Sequence, residues 1–129
     1  MIKNILIVED DPITQLSFQI AIENAFLGIS INTANNGAQA KYYLEKRITN
    51  TEHNPLPVAI LTDVNMPCMS GIDLLAWIKQ HPALQNIPVV VMSSSDEPEQ
   101  IQLAMNTGAI SYFPKLSSID KLICIVKSL

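Results

Sequence analysis

Three short, unbroken apolar runs constrain this chain more than anything else in it: Ile5-Leu6-Ile7-Val8, Val58-Ala59-Ile60-Leu61 and Pro88-Val89-Val90-Val91-Met92. A strand with one wet face alternates apolar and polar residues, whereas a strand covered on both faces reads as a continuous apolar run. Around these runs the spacing of apolar residues changes to a helical period. Helices are expected from Asp11-Pro12 to Gly28, over 38–47, over 70–80, from the capping pattern Asp96-Glu97-Pro98-Glu99 to Gly108, and after Ser117-Ser118-Ile119-Asp120. Ile13, Leu16 and Ile20 mark the expected stripe of the first helix, and Ala40, Tyr43 and Leu44 that of the second. Weaker strands are expected at 30–34 and 112–114. The order is five β-α units without an internal repeat, which implies a parallel sheet, right-handed crossovers and helices on both faces.

A chain of 129 residues, 48% hydrophobic and 16% charged, can form one domain over 1–129 with a core that needs no staples. Its net charge of −4 argues against direct nucleic-acid binding. Cys68 and Cys124 form neither a disulfide framework nor a zinc spacing, which suits a reducing cytoplasm. No window approaches the roughly 20 apolar residues of a membrane span, and the amino terminus lacks the pattern of a signal peptide. The stretch 48–57 is polar, carries two prolines and has no period, so a long exposed loop is expected before the central strand.

In an open parallel sheet, ligands bind at the carboxyl ends of the strands. Here the first run stops on Glu9-Asp10-Asp11, the second on Asp63, the third on Ser93-Ser94-Ser95, and the last strand on Lys115. Glu9, Asp10, Asp63, Ser93 and Lys115 are therefore expected on one rim. Asp11 precedes a proline at a helix start and reads as an N-cap. Three carboxylates brought together repel one another, and a divalent cation resolves this. Few protein ligands, all of them hard oxygens, suit Mg²⁺, which keeps several waters and also binds phosphate. Lys115 adds a point positive charge and Ser93 a hydroxyl. Such a set meets the needs of phosphoryl transfer, where positioning and charge neutralisation are most of the task, with Asp63 as the nucleophile. His53 and His81 are isolated, and Cys68 reads as an ordinary small side chain.

Over essentially its whole length the sequence resembles the receiver domain of two-component response regulators. The matching pieces are Ile7-Val8-Glu9-Asp10-Asp11, Leu61-Thr62-Asp63-Val64-Asn65-Met66-Pro67 with Gly71, Ile87-Pro88-Val89-Val90-Val91-Met92-Ser93, and Gly108-Ala109 with Tyr112 and Lys115. The resemblance implies a flavodoxin-like, doubly wound (βα)5 three-layer fold with a parallel sheet of order 2-1-3-4-5. It implies that Asp63 is the phosphoacceptor, Asp10 the direct acidic ligand of Mg²⁺, Glu9 a ligand through bound water, and Asn65 a donor of its backbone carbonyl. Ser93 takes the switch hydroxyl position, Tyr112 the switch aromatic, and Lys115 the phosphate-contacting lysine; Ser95 lies where attacking water would approach. Lys115 is followed by Leu116 where the family has proline after a cis bond, so a trans Lys115–Leu116 bond is expected. The long loop at 48–57 is similar to that of some single-domain regulators paired with phytochrome-type kinases.

The function implied is a phosphorylation-activated switch, loaded by a sensor histidine kinase or a phosphotransfer protein and read by a downstream protein target. It catalyses its own phosphorylation and dephosphorylation and turns over no metabolite. A stand-alone receiver and the first domain of a longer regulator are both compatible with the sequence. A magnesium-dependent aspartyl phosphatase is the enzymatic alternative, but such enzymes carry an acid two residues beyond the nucleophile, where this chain has Asn65. Ile119, Leu122, Ile123, Ile125, Val126 and Leu129 give the last helix a broad apolar stripe, and its outer edge, near Ile125 and Leu129, is expected to contact a partner or, as a homodimer, a second copy.

Overall fold

The computed structural model describes residues 3–49, 55–94 and 97–129. They form β1 (Lys3–Val8), α1 (Pro12–Ala25), β2 (Ile29–Ala34), α2 (Gly37–Thr49), β3 (Ala59–Asp63), α3 (Gly71–Gln80), β4 (Val89–Ser93), α4 (Pro98–Thr107), β5 (Ser111–Pro114) and α5 (Ile119–Lys127). All five strands are parallel in the order β2-β1-β3-β4-β5. β1, β3 and β4 occupy the middle, which is why they are the unbroken apolar runs. Pro114 lacks an amide hydrogen and is tolerated because β5 is an edge strand.

Alternate strand residues point to opposite faces and build two cores. Leu6, Val8, Ile60, Val89 and Val91 pack with Ala40 and Leu44 of α2, Leu74, Leu75 and Ile78 of α3, and Ala104 of α4. Ile5, Ile7, Leu61, Val90 and Met92 pack with Phe18 and Ile22 of α1 and with Leu122 and Val126 of α5. Across this second core Phe18 meets Phe113 edge to face at 6.3 Å.

The stripe of α1 differs from the sequence expectation. Ile13 is 80% exposed, Leu16 55% and Ile20 48%, while Phe18 and Ile22 face the sheet. Both sets share the helical period, and the aromatic set is the one that fills the space beside Phe113. On α5, Ile119, Ile123 and Ile125 pack against the core that holds Leu122 and Val126, so the broad stripe is mostly spent inside the molecule. Leu129 remains at its edge, 42% exposed.

α2 runs on to Thr49, two residues beyond the expected end at 47, and shortens the expected loop. The loop's return is fixed at Pro55, whose carbonyl accepts from Arg47 Nη1 at 2.8 Å and from Asn4 Nδ2 at 3.2 Å. Asp96 of the capping pattern lies outside the described residues; α4 begins at Pro98 with Glu97 as its N-cap. Ser118 caps α5 by accepting from the Asp120 amide. No peptide bond among the described residues is cis, Lys115–Leu116 included. Among these residues no helix is long and apolar enough to cross a membrane.

Candidate functional site

Asp63 is the last residue of β3, and its carboxylate is held in place from both sides of the strand. The Val64 amide donates to Asp63 Oδ1 at 2.8 Å and also to the Met92 carbonyl of β4 at 3.1 Å. On the other flank β1 runs level with β3, pairing Val8 with Thr62, and so delivers Glu9 beside Asp63. The Glu9 amide donates to the Ala34 carbonyl at 3.0 Å, extending the sheet by one residue. Gln15 Nε2 on α1 reaches the Glu9 carbonyl at 3.1 Å and pins the start of the acidic loop. Both carboxylates are buried, Glu9 at 1% exposure and Asp63 at 5%. Asp10 stands exposed at the rim. One carboxylate oxygen from each of the three lies within 4.8 Å of the others.

Lys115 enters this cluster from β5. Its amide donates to the Ser93 carbonyl at 2.7 Å, continuing the β4–β5 pairing past Pro114. Its Nζ then lies 2.7 Å from Glu9 Oε1, 2.9 Å from Glu9 Oε2 and 3.0 Å from Asp63 Oδ2. Burial pushes the Glu9 carboxyl up to about 7; Asp63 adds to this, and the hydrogen bond from Lys115 works against it. Burial acts to lower Lys115, but its hydrogen bonds to Glu9 and Asp63 outweigh that and hold it above the usual lysine range. With three carboxylates and one ammonium the formal charge is negative, and the oxygen-only donor set fits a hard divalent cation.

The loop from Val64 to Ser70 closes the site. Ser70 caps α3, its Oγ accepting from the Asp73 amide at 3.1 Å. The Gly71 amide donates back to the Val64 carbonyl at 2.8 Å. A Cβ at Gly71 would sit 1.8 Å from the Asp63 carbonyl oxygen, so only glycine lets α3 begin against the strand end. Asn65 is exposed in this loop. Cys68, also exposed, has φ of 71°, a left-handed conformation in a residue that gave no turn signal in the sequence. Met69 offers its carbonyl to the Gly37 amide at 3.3 Å and ties the loop to α2.

Ser93 ends β4 fully buried, and its Oγ donates to Gln100 Oε1 on α4 at 2.8 Å. Tyr112 Oη of β5 donates to that same oxygen at 3.1 Å. Gln100 went unnoticed in the sequence, where a glutamine inside a helix carries no signal of a buried partner. Ser94 is exposed, and Ser95 lies outside the described residues. Asp11 is the N-cap of α1, with Oδ2 accepting from the Thr14 amide at 3.1 Å and from the Thr14 hydroxyl. His81 is the C-cap of α3, its Nδ1 accepting from the Ala83 amide; His53 lies outside the described residues. The structure thus brings Glu9, Asp10, Asp63 and Lys115 together and sets Ser93 and Tyr112 as a pair on Gln100.

Comparison with known proteins agrees with this fold. The family described as "Response regulator receiver domain" matches residues 5–127. Two-component response regulator ARR8 of Arabidopsis thaliana is 33% identical over 106 residues, covering 71% of this chain and 47% of the relative. The chain therefore spans about half the length of that regulator. A crystal structure of the phosphorylated cyanobacterial phytochrome response regulator RcpA superposes with a TM-score of 0.83 at 31% identity, covering 99% of this chain and 91% of that one. The Mn(2+)-bound form of response regulator Rcp1 superposes with a TM-score of 0.79 at 28% identity, covering 98% and 90%.

Proposed function

Since this chain belongs to the family of response regulator receiver domains, we propose that residues 1–129 form one phosphorylation-activated switch that accepts a phosphoryl group on Asp63. The observation that carries the reading is the Asp63 carboxylate, buried at the end of the central strand with Lys115 Nζ 3.0 Å away and two further acids beside it.

Receiver domains interact with histidine kinases or phosphotransfer proteins. In this chain an Asp63 oxygen attacks the phosphorus of a phosphohistidine, the P–N bond breaks, and the imidazole leaves with a proton, giving an acyl phosphate. Lys115, already facing Asp63, neutralises part of the incoming charge. Glu9, Asp10 and Asp63, with the Asn65 carbonyl, would hold Mg²⁺, which supplies the remaining positive charge for the phosphoryl oxygens. A metal in the related Rcp1 supports the acidic cluster as its seat. Ile13 and Leu116, 80% and 90% exposed, line the same open recess as Glu9, Asp10 and Lys115. That apolar rim suits a protein donor better than a small metabolite.

The signal then passes through Ser93 and Tyr112 to a downstream protein, in a cytoplasmic setting and without contact with nucleic acid. Self-association through α5 would use Leu129, since Ile125 is already packed against the core. An aspartyl phosphatase is disfavoured by exposed Asn65, which supplies no acid.

The test is incubation with a small phosphodonor and Mg²⁺, followed by intact-mass and peptide analysis. One phosphate on Asp63 is expected, and labelling that persists in Asp63→Asn overturns the assignment.

A further inference from the structure

We propose that Gln100 is the latch of this switch, its amide oxygen holding the Ser93 hydroxyl and the Tyr112 phenol together until a phosphoryl group draws Ser93 away. The inference rests on the receiver reading above and adds a residue to it.

The argument begins with proton accounting. A serine hydroxyl has one proton to give. In the structure Ser93 Oγ gives it to Gln100 Oε1 at 2.8 Å, and while it does so it cannot give it to a phosphoryl oxygen on Asp63. Ser93 is fully buried, so its hydroxyl must exchange one partner for another rather than turn to water. A phosphoryl oxygen is the stronger acceptor because it is charged. The exchange therefore runs in one direction once Asp63 is phosphorylated.

What Gln100 loses is then felt by Tyr112. An amide oxygen has two lone pairs, and here both are used, one by Ser93 and one by the Tyr112 hydroxyl at 3.1 Å. Removing the first donor frees the amide to reorient, and the phenol attached to it is released or carried along. Gln100 sits in the first turn of α4, its amide donating to the Glu97 carbonyl at 3.1 Å. A change at its side chain is thus made on the element that Ser93 and β5 both face. Sequence separations of 7 and 12 residues mean that the three groups meet only through the fold.

A merely structural glutamine would affect stability without altering the response to phosphate. The latch adds a linkage: an interaction present in only one state biases the equilibrium, and its loss tightens binding of whatever favours the other state. The chain has three tyrosines, so 3-fluorotyrosine labelling gives few ¹⁹F signals, and Tyr112→Phe assigns the relevant one. Beryllofluoride with Mg²⁺ serves as the phosphoryl probe for the wild type, Gln100→Met and Gln100→Glu. Methionine matches the side chain in size but accepts poorly, whereas glutamate keeps an acceptor oxygen.

In Gln100→Met the Tyr112 signal of the free protein should move toward its probe-bound position, with the probe bound about five- to tenfold more tightly. Gln100→Glu should keep the free-protein signal of the wild type. Gln100→Ala gives the same reading should methionine pack badly. An unchanged Tyr112 signal and unchanged affinity in both Met and Ala variants overturn the latch, as does a Glu variant that behaves like Met. A wild type whose Asp63 gives no response to the probe overturns the receiver reading itself, and the latch with it.

Discussion

Two clusters of polar groups lie side by side at the carboxyl ends of β3 and β4, and they differ in kind. One is charged: Glu9 and Asp63 bracket Lys115 at 2.7 and 3.0 Å. The other is a neutral pair of hydroxyls, Ser93 and Tyr112, meeting on Gln100. They are joined through backbone, where the Lys115 amide donates to the Ser93 carbonyl at 2.7 Å. The energy of the first depends on protons and on any bound cation, so it answers to pH and metal. The second depends on which acceptor a hydroxyl faces. On the proposed reading the first cluster does the chemistry and the second reports it, so perturbing each should leave a different signature.

The largest effect is expected from Lys115→Met. Removing one partner of a buried ion pair typically costs about 3–5 kcal/mol, because a buried charge is left uncompensated. Here the cost should depend on pH. Glu9 titrates near 7 in the folded chain against 4.5 when free, so the native state holds the extra proton between those values. Stability from this group is full below about pH 4.5 and is lost as pH rises through about 7. Without Lys115 the proton is held more tightly still. The variant should lose most at pH 8 in chelator and clearly less at pH 5, as read by urea unfolding. Equal losses at both pH values would mean that the pair is not electrostatic in origin.

Metal comes next. A ligand at about 100 times its dissociation constant stabilises the folded state by about 2.7 kcal/mol. Mg²⁺ should raise the melting temperature of the wild type, and Asp10→Asn should abolish most of that rise. In metal-free buffer the same substitution removes a like charge beside Glu9 and Asp63 and should not destabilise the fold. Ser93→Ala should keep the metal response, since the hydroxyl cluster holds no ligand. Equal Mg²⁺ shifts in the wild type and Asp10→Asn would remove the acidic cluster as the metal seat.

Much of this division was legible in the sequence. Five β-α units could be read from unbroken runs, and parallel strands force Glu9, Asp63, Ser93 and Lys115 onto one rim whatever the side-chain details. Strand-end position is a property of the backbone, which periodicity reports. What was not legible depends on choices that periodicity leaves open. α1 carries two apolar sets at helical spacing, Ile13-Leu16-Ile20 and Phe18-Ile22, and only packing against Phe113 selects the second. Gln100 looks like any solvent-facing glutamine until β5 brings Tyr112 against it. The left-handed backbone at Cys68 is imposed by the closure of the loop onto Gly71, and no local residue preference announces it.

A narrower test of the readout is Ser93→Ala. The variant should still accept phosphate on Asp63, because its attacking carboxylate, metal ligands and Lys115 are intact. It should lose most of the Tyr112 response to a phosphoryl analogue. One hydrogen bond to a charged group contributes roughly 1.5–3 kcal/mol, a shift of about 10- to 150-fold in the population ratio. Magnetic resonance of α4 and Tyr112 signals reads this directly. An unaltered response would mean that the coupling bypasses the hydroxyl cluster.

The smallest effect, Tyr112→Phe, separates the two clusters most sharply. It removes a neutral donor from Gln100 Oε1 and leaves a half-buried ring in place. A neutral hydrogen bond contributes about 0.5–1.5 kcal/mol net, so the loss of stability should be of that size or less. Its dependence on pH is the informative part. The substitution leaves Glu9, Asp63 and Lys115, the charged cluster whose energy depends on pH, in place. Between pH 5 and 8 the stability curves of the wild type and Tyr112→Phe should therefore run parallel, in chelator and in Mg²⁺ alike. The Lys115→Met curve diverges from the wild type over that same range. Were the Tyr112→Phe curve to diverge as well, the hydroxyl cluster would have to share protons with Glu9, and the backbone link between Lys115 and Ser93 would no longer be enough to describe how the site is read.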